Sequence, residues 1–426
     1  MHDLRLLRDQ PDALRDALRR RGSLDALAPT LARAEELERQ RRATIRASED
    51  KRAQSNTITQ EVRRRKQRGD AADDLIEQGR LLGAELDRLE HDRSHAEQAF
   101  ERVVAEFPNI TLPEVPPGGE DANRVIRSWG TIRPSDGVRP HWEIAGPEGT
   151  GMLDLARGAK VAASGFVAFR GLGARLVRAL ISYLLDLHTI EHGYEELWLP
   201  LAVNRPSMFG TAQFPKFEDE QYALTNEDLF LIPTAEVPIT NLYRDEIVDG
   251  ASLPRGFVAY TPCFRREAGA HGKDTRGLLR LHQFDKVELV RYSTPEDSPA
   301  QLELLTGHAE IALQRLGLPY RVLLLAAGDT GFASAKTYDL EAWAPGVGKW
   351  LEVSSCSTFT DFQARRANIR FRPAGGGKPA FIHTLNGSGL GLARTLAAIL
   401  EHYQEPDGSV RVPEVLRSRV GVDRLG

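Results

Sequence analysis

Cysteine is nearly absent from this chain: Cys263 and Cys356 are the only two in 426 residues. That excludes a disulfide framework and suits a reducing cytosol. No Cys-x-x-Cys pair is present to hold a metal. Two His-x-x-x-His pairs do occur, His91 with His95 and His188 with His192. The second reads His-Thr-Ile-Glu-His and fits a short zinc-protease pattern, but five residues are a weak signal and the pair reads as helix-surface histidines. No apolar run approaches the length of a membrane span. The N-terminus, Met-His-Asp-Leu-Arg, is charged from its start and lacks a signal-peptide core. These absences predict a soluble, cytoplasmic protein with no membrane partner. Net charge is also lacking, since 60 acidic residues face 56 basic ones, so any nucleic-acid surface must come from local clustering. There is no internal repeat and no Walker loop, and Gly387, Gly389 and Gly391 miss the spacing of a dinucleotide-binding turn.

What is present is an ordinary globular composition, 41% hydrophobic and 27% charged, at a length that predicts two domains. The first hundred or so residues are rich in Arg, Glu, Ala and Leu and poor in strand formers. Steps of three and four run through Ala34, Leu37, Arg41, Thr44, Ser48, Lys51, Ser55, Ile58 and Val62. They run again through Leu82, Leu86, Leu89, Arg93, Ala96, Phe100, Val103 and Phe107. Two heptad seams separated by Gln67-Arg68-Gly69-Asp70 predict an antiparallel helical hairpin within residues 1–107. The first seam is poorly apolar in its middle, which predicts a protruding coiled-coil arm. Arg63, Arg64, Arg65, Lys66 and Arg68 make its tip basic. Such a run is a solvated helix end unless the rest of the chain calls for a polyanion.

Residues 108–119 are rich in Pro and Gly and predict a linker. Beyond it, in residues 120–426, β-rich runs at Gly165–Arg170, Phe257–Arg265, Leu279–Arg291, Arg321–Ala326 and Trp350–Phe359 are separated by turns. Helical patterns intervene only at about 172–192, 301–316 and 390–403. So few crossovers predict a mostly antiparallel sheet flanked by helices, an α+β domain.

Alternation along 279–290 puts Leu279, Leu281, Val287 and Leu289 on one face, and Arg280, His282, Phe284, Lys286 and Glu288 on the other. The strand before it carries Cys263, Arg265 and Glu267 together. Between them lies a basic, glycine-bearing loop, 268–277. An ordinary surface hairpin with cross-strand ion pairs would leave the loop glycines and the lone Phe284 on a polar face unexplained.

Phe264-Arg265-Arg266-Glu267, a loop, and then Arg280-Leu-His-Gln-Phe284 resemble motif 2 of the class II aminoacyl-tRNA synthetases. The fuller string from Cys263 to Glu288 is similar to the seryl-tRNA synthetases, of the bacterial type. The helix before Gly193 with Leu197-Trp-Leu-Pro200 looks like motif 1, the dimerisation element. Gly387-Ser-Gly-Leu-Gly-Leu-Ala-Arg394 looks like motif 3, and Thr234-Ala235-Glu236 like the serine-binding turn. The resemblance covers essentially the whole chain, the N-terminal arm included.

That resemblance implies ATP-dependent activation of L-serine to seryl-adenylate, then transfer to tRNA(Ser), with tRNA(Sec) also expected. It implies a homodimer and Mg2+ with the ATP. Arg265, Arg280 and Arg394 become the catalytic cations. Arg265 is the natural ligand of the α-phosphate because guanidinium offers a planar fork, and the family pattern gives Arg280 and Arg394 the γ-phosphate. Phe284 and Arg394 would sandwich adenine, and Glu267 would accept its amino group. Arg266 and the segment Glu352-Val353-Ser354-Ser355 complete the ATP set. Glu352 and Ser355 are its magnesium ligands, but three residues apart on a regular strand they face opposite ways. A bulge or strand end must intervene, or Ser354 substitutes. Serine falls to Thr234, Ala235, Glu236, Arg265, Glu288 and Ser388, the last also placed where a helix N-cap is expected. The arm tip, with Lys273 and Arg276 of the loop, would meet tRNA.

Ala393, Ala212 and Phe214 depart from the commonest family pattern without removing a catalytic group. Three rivals stay open: a related ligase that loads a carrier protein, an inactive paralogue, and an inhibitor-resistant duplicate. The first lacks a long arm, the second loses motif arginines, and the third would look the same in sequence.

Overall fold

The two heptad seams are realised as two long helices, α1 (Leu24–Arg68) and α2 (Asp73–Val104). Gly69 closes the turn between them with a left-handed φ of 80° that lets its N–H reach the carbonyls of Arg65 and Lys66. The rungs run in opposite directions: Arg41 lies over the Phe100 ring at 5.5 Å, Ser48 donates to Glu90 at 3.1 Å, and Lys51 to Glu85 at 2.9 Å. The seam is therefore apolar at its base, around Leu31, Ala34, Phe100 and Val103, and ionic farther out. At the tip, Arg64 pairs with Glu61 and Arg65 with Asp74.

In this computed structural model, residues 1–268 and 276–426 are described, and they divide into two compact units, Met1–Pro108 and Asn109–Gly426. The expected linker is not a free tether. From Asn109 onward it belongs to the second unit, with the Asn109 amide donating to the Ala333 and Phe359 carbonyls, each at 2.9 Å. Leu112 N–H reaches Ala335 O, and Pro116 and Gly118 carbonyls accept from Ala327 and Gly328. Proline forfeits only its donor; the carbonyls of this segment remain free to dock.

The second unit is built on an eight-stranded sheet. Its strands are β1 (Arg124–Trp129), β2 (Glu195–Glu196), β3 (Arg255–Phe264), β4 (Gln283–Ser293), β5 (Tyr320–Leu324), β6 (Lys336–Ala344), β7 (Lys349–Thr360) and β8 (His383–Gly391). They lie in the order β1-β5-β6-β7-β8-β4-β3-β2, every pair antiparallel except the short β2–β3 pair. The longest helices of this unit among the described residues share the main apolar core with the sheet: α3 (Leu172–Asp186), α4 (Ser298–Arg315) and α5 (Leu392–His402). Val287 and Leu289 of β4 belong to that core.

Two local expectations are corrected here. The helix drawn to His192 ends at Asp186 and continues as one π turn, Leu187–Glu191. The wider turn carries His188 inward, fully buried and 3.3 Å from the Gly389 carbonyl, so it is no surface residue. Burial pushes its imidazole down to about 3. The helix after motif 3 begins at Leu392 with Gly391 at its N-cap, which leaves Ser388 inside β8.

Candidate active site

Strands β3 and β4 pair with Cys263 opposite Phe284, and the loop between them leaves from the end of the pair. Arg265, Arg266 and Glu267 already lie past the end of β3, and Arg280 lies in a bend ahead of β4. Strand alternation therefore places Phe284, Lys286 and Glu288 but does not itself aim Arg280. A different constraint does: Arg280 Nε bonds to a Glu267 carboxylate oxygen, tying the two loop roots together.

A cavity of about 520 Å³ opens over this face. Arg265, Glu267, Arg280 and Phe284 line it, as do Glu352, Val353, Ser355 and Arg394. So do Thr234, Glu236, Glu288 and Ser388. Ala235, Arg266 and Ser354 do not. Ala235 is core at the start of the short helix Glu236–Thr240. Arg266 bonds through its backbone to Glu220 and through its side chain to the Asp219 carbonyl. Ser354 turns inward and donates to the Ser388 carbonyl at 2.6 Å. Lys273 lies outside the described residues. Arg276 stacks on Trp142 at 4.8 Å.

The alternatives for Glu352 and Ser355 are decided by a bulge. Leu340 pairs with Ser354 but Glu341 pairs with Glu352, so Val353 is the extra residue in β7. One inserted residue restores a common side to Glu352 and Ser355. Asp339 stands opposite Ser355 on β6. Burial, then the nearby Glu352 carboxylate, holds Asp339 well above the usual carboxylate range.

The cations are already engaged with the cavity wall. Arg394 donates from Nε to the Leu279 carbonyl at 3.1 Å, and from Nη1 to Glu352 O at 3.1 Å and Oε2 at 3.2 Å. Arg265 lies over the Phe284 ring at 5.0 Å. A second cluster surrounds Glu288. Lys286 donates to Thr234 Oγ1 at 2.8 Å and stands 2.5 Å from Glu288 Oε2, an ion pair whose angle leaves that oxygen without a formed hydrogen bond. Asn386 donates to Glu288 Oε1 at 2.8 Å. Glu236 accepts from Gln363 at 2.6 Å, and Gln363 in turn accepts from Thr384 at 2.7 Å. Burial, then the Glu288 carboxylate, pushes the Glu236 carboxyl up to about 7.

Known families match both units: the seryl-tRNA synthetase N-terminal domain over residues 1–111, and the class II tRNA synthetase core domain (G, H, P, S and T) over residues 216–403. A Serine--tRNA ligase from Gemmatimonas aurantiaca is 62% identical over 99% of this chain and 99% of its own length. The chain belongs to the seryl-tRNA synthetases. A second relative, the Serine--tRNA ligase of Desulfitobacterium hafniense, is 50% identical with both chains covered completely. Among solved structures, the seryl-tRNA synthetase of Pyrococcus horikoshii complexed with ATP superposes with a TM-score of 0.93 at 38% identity, covering 100% of this chain and 99% of the other.

Lys286 and Asn386 also line this seryl-tRNA synthetase's cavity. Lys286 had a signal, since it shares parity with Phe284 and Glu288, but a lysine between two acids reads as a surface ion pair. Asn386 had none: it lies 98 residues downstream and meets Glu288 only through the pairing of β8 with β4. Behind the cavity, Gln363 of the helix Phe362–Ala367 reaches Glu236 and is held by Thr384 of β8, again without a local signal.

Proposed function

We propose that the chain activates L-serine with ATP and then esterifies tRNA(Ser), with tRNA(Sec) as a second acceptor. The serine carboxylate attacks the α-phosphorus, pyrophosphate leaves, and a ribose hydroxyl of tRNA then displaces AMP from the acyl carbon. One observation carries this reading: a single cavity brings together the Arg265–Arg280–Arg394 group and the buried Thr234–Glu236–Lys286–Glu288 group. Chemistry at phosphorus needs positioning and charge stabilisation more than a protein nucleophile. Arg265 would meet the α-phosphate, and Arg280 and Arg394 the γ-phosphate, exchanging their resting contacts with Glu267 and Glu352 for phosphate. Phe284 would support adenine once Arg265 leaves its face.

In the second group, Thr234, Glu236 and Glu288 would take the serine ammonium, and Ser388, directly opposite Glu288 on β8, its hydroxyl. Sites that hydrogen-bond a hydroxyl can reject the analogue lacking it by ~10⁴ or more, which would exclude alanine. Glu352 and Ser355 form a hard-oxygen donor pair that suits Mg2+, with Asp339 opposite Ser355 on the neighbouring strand. Bound there with ATP, the ion would neutralise phosphate charge. The exposed Ile190 and Trp198, 78% and 91% accessible, are apolar surface that dimerisation would cover. The basic tip and Arg276 are the surfaces offered to tRNA, and the setting is cytoplasmic.

The test is ATP–pyrophosphate exchange against a panel of amino acids, with and without unfractionated tRNA. Exchange with serine and charging of tRNA are expected. Exchange with another amino acid, or acylation of a carrier protein only, would reject the reading.

A further inference from the structure

His141 and Glu401 are both fully buried, and neither lines the cavity. Their geometry is complete on every side. The Leu278 N–H donates to His141 Nε2 at 2.9 Å, so that nitrogen must present its lone pair. The imidazole proton then sits on Nδ1, which donates to Glu401 Oε1 at 2.7 Å. The same oxygen accepts the His141 N–H at 3.0 Å. Glu401 Oε2 accepts the N–H groups of Gly346 at 2.8 Å and Val347 at 3.1 Å. Four N–H donors thus converge on one buried carboxylate.

What this dyad holds is the root of the loop between the two arginine-bearing segments. Glu401 lies on α5 seven residues after Arg394, two helical turns on and so on the same face. From that face Arg394 grips the Leu279 carbonyl directly, and Glu401 grips the Leu278 N–H through His141. Consecutive residues immediately before Arg280 are thus fastened to one helix at two points. Gly277 shows how closely the parts fit: a Cβ there would stand 2.3 Å from His141 Nε2 and 2.8 Å from the Trp142 ring.

We infer that His141 is a positioning residue for the nucleotide: with Glu401 it locks Leu278–Arg280 against α5, setting Arg280 and Arg394 at the spacing the triphosphate requires. The serine cluster hangs on other segments, Thr234–Glu236 and Lys286–Glu288, and is not fastened by this joint. The inference rests on the phosphate roles proposed above for Arg280 and Arg394. Wild-type exchange with serine, and its loss in Arg394→Ala, test those roles separately.

The joint itself is tested by dividing the imidazole into halves. His141→Asn keeps a donor near Nδ1 for Glu401 but removes the acceptor for Leu278. His141→Gln places an amide oxygen near Nε2 and keeps that acceptor. In pyrophosphate exchange, H141N is expected to raise KM for ATP about tenfold, the order of one lost buried hydrogen bond. KM for serine should stay within about twofold, and H141Q should recover most of the ATP KM. A role confined to stability would lower the melting temperature of both variants and leave both KM values of the folded enzyme alone. Gly277→Ala perturbs the same joint from the loop side and carries the test should H141N fail to fold. A folded H141N or G277A with unchanged KM for ATP, or with both KM values raised alike, overturns the inference.

Discussion

In the proposed role of ammonium ligand, the Glu236 carboxyl would make serine binding depend on pH within the range where exchange assays are run. Burial and the neighbouring Glu288 raise it from 4.5 to about 7, which corresponds to about 3 kcal/mol in favour of the protonated form. Between those values the folded chain holds a proton that the unfolded chain has lost. Stability of the serine-free protein therefore falls as pH rises from about 4.5 to 7 and levels off above. Serine held in the proposed way would reverse the preference, because an ammonium pairs with the ionised carboxylate and not with the acid. At pH 6 about nine in ten Glu236 side chains are protonated and at pH 8 about one in ten, so the apparent affinity for serine should rise roughly tenfold across that interval. The assay is KM for serine in pyrophosphate exchange at saturating ATP, every half unit from pH 6 to 8.5, beside Glu236→Gln. The variant should bind serine weakly at all pH values with a flat profile. A flat profile in the wild type, or an unaltered slope in the variant, would refute the reasoning. As a companion measurement, saturating serine should raise the melting temperature more at pH 8 than at pH 6.

Arg265→Ala should abolish measurable pyrophosphate exchange, since one lost transition-state donor costs on the order of 3 kcal/mol; near-normal exchange would remove Arg265 from the α-phosphate. Lys286→Met leaves the Glu288 charge buried without its cation, and one-sided removal of this kind costs ~3–5 kcal/mol. The melting temperature should fall sharply and then recover in Lys286→Met/Glu288→Gln, while serine activation stays lost in both; activation surviving in the double variant would show the pair to be structural only. Replacing Arg63, Arg64, Lys66 and Arg68 together by Ala should leave pyrophosphate exchange unchanged and reduce tRNA charging, with a shallower dependence on salt. An unchanged charging rate at low and high salt would make the tip a solvated helix end.

Much of the fold could be read locally because amphipathic period is a property of neighbours in sequence. The arm followed from its two heptad seams, polar middle included, because Ser48 and Lys51 find their glutamates across the hairpin at the depth the seam sets. The α+β sheet followed from many short β-rich runs with few crossovers. Boundaries were less legible where the backbone leaves a regular period. His188 turned inward at a π turn, and the helix after motif 3 waited for Gly391. The segment after Pro108 docks by carbonyls that its composition does not advertise.

The sequence by itself determined that Phe284, Lys286 and Glu288 share a face, because strand side chains alternate whatever the neighbours. It also determined, through ordered motifs, which arginines belong with that face. Only the tertiary structure decided what those side chains touch. The Val353 bulge exists because β7 must match β6, and that pairing alone gives Glu352 and Ser355 a common side. The Lys286–Thr234 bond, the Gln363–Glu236 bond and the His141–Leu278 bond each join segments more than 50 residues apart. No local pattern encodes such contacts, since they arise only when the sheet and α5 bring the segments together. For the same reason the raised Glu236 carboxyl was invisible in the chain: its acidity is set by burial and by Glu288, and both are properties of the folded state.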